Sequence, residues 1–348
     1  MLEKRAAFVS WLKAEFDSFE LELERKLEKK EIDVEGAFEQ YRRWHEEAEA
    51  KNLQIGSQHS RRRSMRDFLG GNWRRFKLIP MGRGFVSQFR IFEFAVFQSV
   101  PNALRKRIPA LDRKLDALAV RVFKKLVVKV NGIAYSVRDY ESLEIIGSKF
   151  EPFMARWFQL KPDDVFVDIG SHIGKYALSA SRVVDGDGMV VAVEAHPSNF
   201  ALLKQNIRLN KAGNVRAYNL AAWNEPGELK LFIGSNSATS NISRYSYGQG
   251  YIDVQSERMD KILVQDLRLK RVDWIKIDVE GAEYEVLLGL EETLSKYKPK
   301  LIIEVWQKNL AKMKALLDRC GYDFAKCSGF GEAQSQYYAD FLCISKTN

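Results

Sequence analysis

The chain has 348 residues, a formal net charge of +9, 46% hydrophobic residues and a mean hydropathy of −0.31, values of a globular protein with core enough for two domains, or one large domain with an extension. The longest apolar stretch, Phe85 to Val100, is broken by Arg90 and Glu93, and acidic residues follow Met1-Leu-Glu-Lys-Arg closely, so neither a transmembrane helix nor a signal peptide is expected. Three cysteines, Cys320, Cys327 and Cys343, form neither a CxxC nor a paired framework, which points to a reducing, cytoplasmic setting.

Charge is unevenly placed. Lys and Arg stand against Asp and Glu as 10 to 14 in residues 1–51, 18 to 4 in residues 52–130, and 27 to 28 in residues 131–348. Residues 1–51 carry two apolar stripes at helical spacing, Phe8 to Leu27 and Phe38 to Trp44, predicting a helical hairpin. Residues 52–84 are basic and glycine-containing, with interleaved aromatics. Phe85, Phe89, Phe92, Val96 and Val100 then make a helix-spaced aromatic stripe, and Arg105-Lys-Arg107 precedes another amphipathic helix reaching about Leu126. A basic, aromatic stretch of this kind can grip RNA, lie on an anionic membrane surface, or simply cover a core. Residues 1–126 are therefore read as a helical, basic N-terminal region, with 52–130 as its docking segment.

Composition changes near residue 127. Leu126 to Val137 alternates around Asn131-Gly132, a good hairpin turn, and a helical stretch from Ser142 to about Leu160 follows. Val165-Phe-Val-Asp-Ile169 then reads as a buried strand running into Gly170-Ser-His-Ile-Gly174. A helix with Tyr176, Ala177, Ala180, Val183 and Val184 on one face ends at Asp185-Gly-Asp-Gly188, and the strand Met189–Val193 closes with Glu194. This βαβ unit has the pattern of a nucleotide site: glycines at Gly170 and Gly174 leave room for a ligand, and Glu194, about 20 residues on, can accept from ribose hydroxyls. The third glycine of a dinucleotide fingerprint is missing, and Asp168 would repel a pyrophosphate while suiting a cationic amino-acid group. S-adenosylmethionine therefore fits better than a nicotinamide dinucleotide.

Downstream, a helix begins at His196-Pro-Ser-Asn199. Val215 to Asn219 is a third strand leading to Ala221-Ala222-Trp223, and Glu228 to Ile233 is extended. A polar loop spans Gly234 to Gly250. Val272 to Ile277 is a fourth strand ending in Asp278-Val-Glu-Gly-Ala-Glu283, and a helix carries Ala282, Val286, Leu290 and Leu294 on one face. Leu301 to Val305, with Glu304, is a fifth strand; a helix through Leu316 and two strands, Tyr322–Ala325 and Phe341–Ser345, complete the chain. Alternating β and α elements predict a doubly wound, mostly parallel sheet with an antiparallel end strand. Asp168, Glu194, Ala222, Asp278 and Glu304 then fall at the carboxyl edge, where ligands bind in such sheets.

The segments VFVDIGSHIGKYAL, VAVEAHP and NLAAWNEPGELKL, and above all WIKIDVEGAEYEVLLGL followed by KPKLIIEVW, resemble the FkbM-type S-adenosylmethionine-dependent methyltransferases over residues 127–345. The resemblance implies a class I, Rossmann-like methyltransferase fold. It also implies that Asp168, Gly170, Ser171 and Gly174 surround the methionine portion of the cofactor, that Glu194 meets the ribose and that Ala222 faces the adenine. It further implies a hydroxyl acceptor on a sugar, glycan or small metabolite.

Transfer to a hydroxyl requires a base for the acceptor proton. Asp278 and Glu280 are the first candidates and Glu304 the next, with Lys276, Asp278 and Glu280 alternating on one strand face. An RNA acceptor held by residues 52–130 is the alternative. No (D/N)PPY follows the fourth strand, against methylation of a base amine. Carboxylates with His172 or His196 could hold a magnesium ion, but their spacing demands none and no metal is expected.

Overall fold

The computed structural model describes residues 82, 123, 126–147, 158–234, 240, 242, 250–326 and 338–346. All but Gly82 lie in the compact unit Ile108–Asn348. The expected N-terminal hairpin, the basic 52–84 stretch, the aromatic stripe of 85–100 and the helix before Leu126 lie outside the described residues, Phe123 and Gly82 apart.

The strands are β1 (Val127–Val130), β2 (Ile133–Ser136), β3 (Val165–Ile169), β4 (Met189–Val193), β5 (Val215–Tyr218), β6 (Ala221–Ala222), β7 (Gly227–Phe232), β8 (Tyr251–Glu257), β9 (Trp274–Ile277), β10 (Lys300–Trp306), β11 (Tyr322–Lys326) and β12 (Tyr338–Ser345). The α-helices are α1 (Tyr140–Ile145), α2 (Lys175–Ser181), α3 (Pro197–Leu209), α4 (Glu283–Leu288), α5 (Glu291–Tyr297) and α6 (Leu310–Arg319). Seven strands form the central sheet in the order β11-β12-β10-β9-β3-β4-β5. Only β12 runs against the others, inserted between β10 and the edge strand β11. This is the doubly wound, mostly parallel sheet with an antiparallel strand that the sequence predicts.

Every residue of β3 is buried, as expected of a parallel strand covered on both faces, and its apolar side chains need no alternation. Val167, Ile169, Val191, Val193, Ile275, Ile277, Ile303 and Val305 form the sheet's contribution to a core completed by Val286, Leu290, Leu294, Leu316 and Leu317. The winding reverses at β3, which has β4 on one side and β9 on the other. A crevice opens at such a switch point.

The β1–β2 hairpin forms around Asn131-Gly132 as expected. It joins the main body through α3: Asn206 Oδ1 accepts from Ser136 N at 2.7 Å and Asn210 Oδ1 from Ala134 N at 2.9 Å, while both amide groups donate back to β2 carbonyls. Two asparagines one helical turn apart thus serve β2 as a neighbouring strand would, satisfying backbone groups that burial would otherwise strand.

Three expectations need correction. The first helix after the glycine turn ends at Ser181, not at the Asp185 turn, and Val183 is 45% exposed. The long helix expected through Ala282 and Leu294 is two helices, α4 and α5, broken at Gly289. A Cβ at Gly289 would stand 2.1 Å from the Trp223 carbonyl oxygen, and Asp260 accepts from Glu292 N and Thr293 N, capping α5 from the helical segment that follows β8. Finally, β8 was not anticipated. It pairs with β6 and β7 in a separate three-stranded sheet, order β6-β8-β7, and buries only Val254 and Ser256.

Candidate active site

The glycine turn is tied to β4 by Gly170 N and Ser171 N, which both donate to Val193 O at 2.9 Å. Gly170 has φ 85° and Gly174 φ 97°, a region open mainly to glycine. Neither residue clears space for a ligand in the way the sequence suggests. A Cβ on Gly170 would lie 1.8 Å from the Asp278 carbonyl oxygen, and one on Gly174 would lie 2.7 Å from Leu203 Cδ1. These glycines allow the turn to pack against the β9 loop and α2 to pack against α3.

Glu194 is buried at the end of β4. Its Oε2 accepts from His172 N at 2.9 Å, and its Oε1 accepts from His196 N at 2.9 Å and from Asn199 Nδ2 at 3.4 Å. Burial nonetheless pushes the carboxyl up to about 7, against the pull of those donors. Asp168 is 1% exposed. Its Oδ2 accepts from Ala177 N at 3.0 Å in the first turn of α2, while Oδ1 is buried without a hydrogen-bond partner. Burial raises Asp168 to about 6, with the Lys276 charge opposing. Both ring nitrogens of His172 are likewise buried and unpartnered, and burial lowers its pKa to about 4, leaving a neutral imidazole.

A second group converges from β9. Lys276, 4% exposed, is the cross-strand neighbour of Asp168 and donates from Nζ to Asp278 Oδ2 at 2.8 Å. The strand ends at Ile277, so Glu280 does not follow by strand alternation as expected. It arrives through a left-handed residue, φ 53°. The turn is braced from below: Glu283 Oε1 accepts from Gly281 N at 2.6 Å, and Asn309 Nδ2 donates to Gly281 O at 3.0 Å and to Glu283 Oε2 at 3.3 Å. Burial first, then the Asp278 and Glu283 charges, raise Glu280 to about 8; burial and the charges of Asp278, Glu280 and Asp340 lift Glu304 well above the ordinary range.

Gly170, Ser171, Glu194, Ala222, Lys276, Asp278 and Glu280 line one open cleft. Asp168 lies beneath its floor, Gly174 sits between helices, and Glu304 stands one strand further along; these three do not line it. The cleft adds residues not singled out as cofactor or catalytic candidates. Tyr176, read as a core position of α2, faces Lys276 with Nζ 4.8 Å from its ring centroid. His172, considered only as a metal ligand, and Asn199 also border the cleft. Leu220, Ala222, Leu231 and Ile242 supply an apolar wall. Among the described residues no three His, Cys, Asp or Glu side chains converge as a metal site.

These features fit S-adenosylmethionine. The unpartnered His172 imidazole at the cleft border offers hydrogen bonds to a ligand, and the apolar wall suits a flat base.

Comparison with known proteins agrees. Residues 168–324 match the methyltransferase FkbM domain. Methyltransferase 1 of Beauveria bassiana is 27% identical over 186 residues, 47% of this chain and 74% of that protein. Methyltransferase sdnD of Sordaria araneosa is 26% identical over 224 residues, 55% of this chain and 86% of that protein. A tRNA(Phe) (4-demethylwyosine(37)-C(7)) aminocarboxypropyltransferase of Pyrococcus horikoshii is 39% identical over 138 residues, 39% of this chain and 49% of that protein. Among solved structures, methyltransferase FkbM of Methylobacillus flagellatus aligns with a TM-score of 0.41 at 15% identity, over 79% of this chain and 59% of that one. The chain carries an FkbM-type methyltransferase domain and is an S-adenosylmethionine-dependent methyltransferase.

Proposed function

We propose that the domain methylates a hydroxyl oxygen of a sugar, glycan or small polyhydroxylated metabolite, with Glu280 taking the acceptor's proton. The observation that carries this reading is the raised proton affinity of Glu280, about 8, on a braced turn at the edge of the cleft. A base whose pKa lies near the working pH is effective in proton transfer. The bound cofactor supplies an electrophilic methyl on a sulfonium; the chain supplies position and a place for the proton. Lys276 holds Asp278 through the 2.8 Å hydrogen bond, which orients that carboxylate beside Glu280. Ser171, Glu194 and Ala222 hold the cofactor, with Asp168, Gly170 and Gly174 shaping the turn from beneath. Glu304 lies off the cleft and is assigned to the acceptor rather than to the proton.

An RNA acceptor gripped by residues 52–130 is the second reading. The relative named for a tRNA position favours it; the carboxylates around Glu280 weigh against it, since they repel phosphate. Residues 52–130 would equally serve to dock the protein on an anionic membrane, although among the described residues no helix is long and apolar enough to cross one.

The test is transfer of labelled methyl from S-adenosylmethionine into a cell extract separated into carbohydrate, small-molecule, lipid and RNA fractions. Label in a carbohydrate or small-molecule fraction is expected. Label confined to RNA, together with RNA binding that weakens steeply with salt, overturns the proposal.

A further inference from the structure

Glu280 stands in a turn that other residues hold by its backbone. Residues 278–281 leave β9 and enter α4, and two consecutive residues there are left-handed, Glu280 at φ 53° and Gly281 at φ 100°. A glutamate seldom occupies that region, so an unfastened turn would relax and carry the Glu280 side chain elsewhere. The turn is fastened on both sides of it. Ahead of Glu280, Asp278 N donates to Ile169 O at 3.0 Å, and Asp278 O fills the place a Cβ on Gly170 would need. After it, side chains take both backbone polar groups of the buried Gly281: its N–H donates to Glu283 Oε1 at 2.6 Å, and its carbonyl accepts from Asn309 Nδ2 at 3.0 Å.

The two side chains are also joined to each other, Asn309 Nδ2 donating to Glu283 Oε2 at 3.3 Å. Gly281 O only accepts, which fixes the amide with its nitrogen toward the turn. Glu283 is 0% exposed and Asn309 4%. Asn309 comes from the short turn after β10, 26 residues beyond Glu283. Both bonds to Gly281 fall ahead of α4, which begins at Glu283, so losing them loosens the residue next to Glu280 before it loosens the helix.

We infer that Asn309 and Glu283 are positioning residues for Glu280, acting through the backbone of Gly281 to keep the Glu280 carboxyl at the cleft edge. The inference rests on the reading of Glu280 as the base and deepens it. Glu283 acts in two ways. Its bond to Gly281 N fixes the turn, and its charge discourages ionisation of Glu280, together with those of Asp278 and of Glu141 on α1, while Lys276 opposes them. Burial raises Glu283 itself only to about 7, so it carries its charge where Glu280, at about 8, titrates. Glu304 of β10 and Tyr338 of β12 feel the Glu280 charge in turn. Burial is the largest cause of the proton affinity of Glu280, and an opened turn would return that carboxyl toward its ordinary range. One brace thus sets both where Glu280 is and when it ionises.

The test uses the full chain with its glutamates labelled at Cδ. In a carbon-13 NMR titration, one carboxyl is expected to titrate near pH 8 and to vanish in Glu280→Gln. Glu283→Gln keeps an oxygen for Gly281 N and removes the charge; Asn309→Leu keeps the volume and removes the donor. Both should move that titration to lower pH, Glu283→Gln by about half a unit or more. Transfer of labelled methyl from saturating S-adenosylmethionine to the extract fraction that the wild type labels should fall about tenfold or more in each, with cofactor affinity by calorimetry unchanged. If Asn309→Leu does not fold, Glu283→Gln decides alone. A Glu280 titration or a transfer rate that the folded variants leave unmoved overturns the inference, as does a loss of cofactor affinity equal to the loss of rate. Undiminished transfer by Glu280→Gln instead removes the reading of Glu280 as the base.

Discussion

Where the cleft meets β4 the Glu194 carboxylate accepts from two backbone N–H groups and one amide, while at its other end, after β9, the affinity of Glu280 for its proton is set by burial and by neighbouring carboxylates. The first arrangement fixes a side chain in place before any ligand arrives. The second keeps a group in a state that a change of charge nearby can alter. Binding benefits from preorganised donors and acceptors; proton transfer benefits from a group poised between two protonation states. On the function proposed above, the two tasks fall to different strand ends of one sheet edge.

The sharpest way to break this comparison is Glu280→Gln. Turnover should fall about 10²- to 10⁴-fold, and S-adenosylmethionine binding, read by calorimetry, should hold. The wild-type rate should rise with pH through about 8, because the base form is populated above that value, and the variant should lose this limb. Equal losses in binding and turnover would mean that the two ends are not separable.

Next in size is Gly170→Ala. The added Cβ meets a backbone carbonyl at 1.8 Å in a left-handed residue, and neither backbone can give way cheaply. A loss of about 3 kcal/mol or more is expected in chemical denaturation. Because the obstructing atom belongs to Asp278, turnover should fall further than cofactor affinity does.

Glu194→Gln is a smaller change. One arm of the amide would present N–H groups to backbone donors, and S-adenosylmethionine affinity should weaken about tenfold with the rate at saturation preserved. A variant that instead lost rate at saturating cofactor would assign Glu194 to the transfer end.

The smallest effect is on stability without cofactor. Asp168, Glu194, Glu283 and Glu280 are raised from ordinary carboxyl values to about 6, 7, 7 and 8. Groups raised in the folded state contribute stability that is complete below their unfolded values and lost as pH climbs through the folded ones. The thermal midpoint should therefore decline between about pH 4 and 8. Glu280→Gln should remove the upper part of that decline, and Asp168→Asn the lower part.

Much of the β3-to-Glu194 frame was legible in the sequence because it is built from neighbours. Val165 to Glu194 contains strand, turn, helix, strand and acidic terminus in one stretch, and local pattern suffices to place them. Asp278 was legible for the same reason, at the end of an apolar run. What escaped depends on contacts between distant parts. Nothing around Gly289 announces that Trp223 occupies the space a side chain would need. The strand β8 hides because its outer face is polar and its inner face buries only two residues. Tyr176 reads as a core position from helical spacing alone, since the cleft beside it is made by β9. The role of the glycines was misread for the same cause: the group that needs Gly170 to be small is more than a hundred residues away in sequence.

The joint at Gly289 has a bearing on how such a protein diversifies. Among the described residues the β6-β8-β7 sheet is separate from the central one, and Trp223 anchors it by abutting Gly289 and by donating from its backbone N–H to Glu257 O. Its Leu231 nevertheless forms part of the cleft wall, as do Ser240 and Ile242 beyond it. Substitutions and length changes on the far side of that anchor can reshape the wall over generations while the register of the seven strands, and the cofactor chemistry they hold, stays as it is. Drift in substrate preference has a place to occur that selection on the catalytic frame does not police.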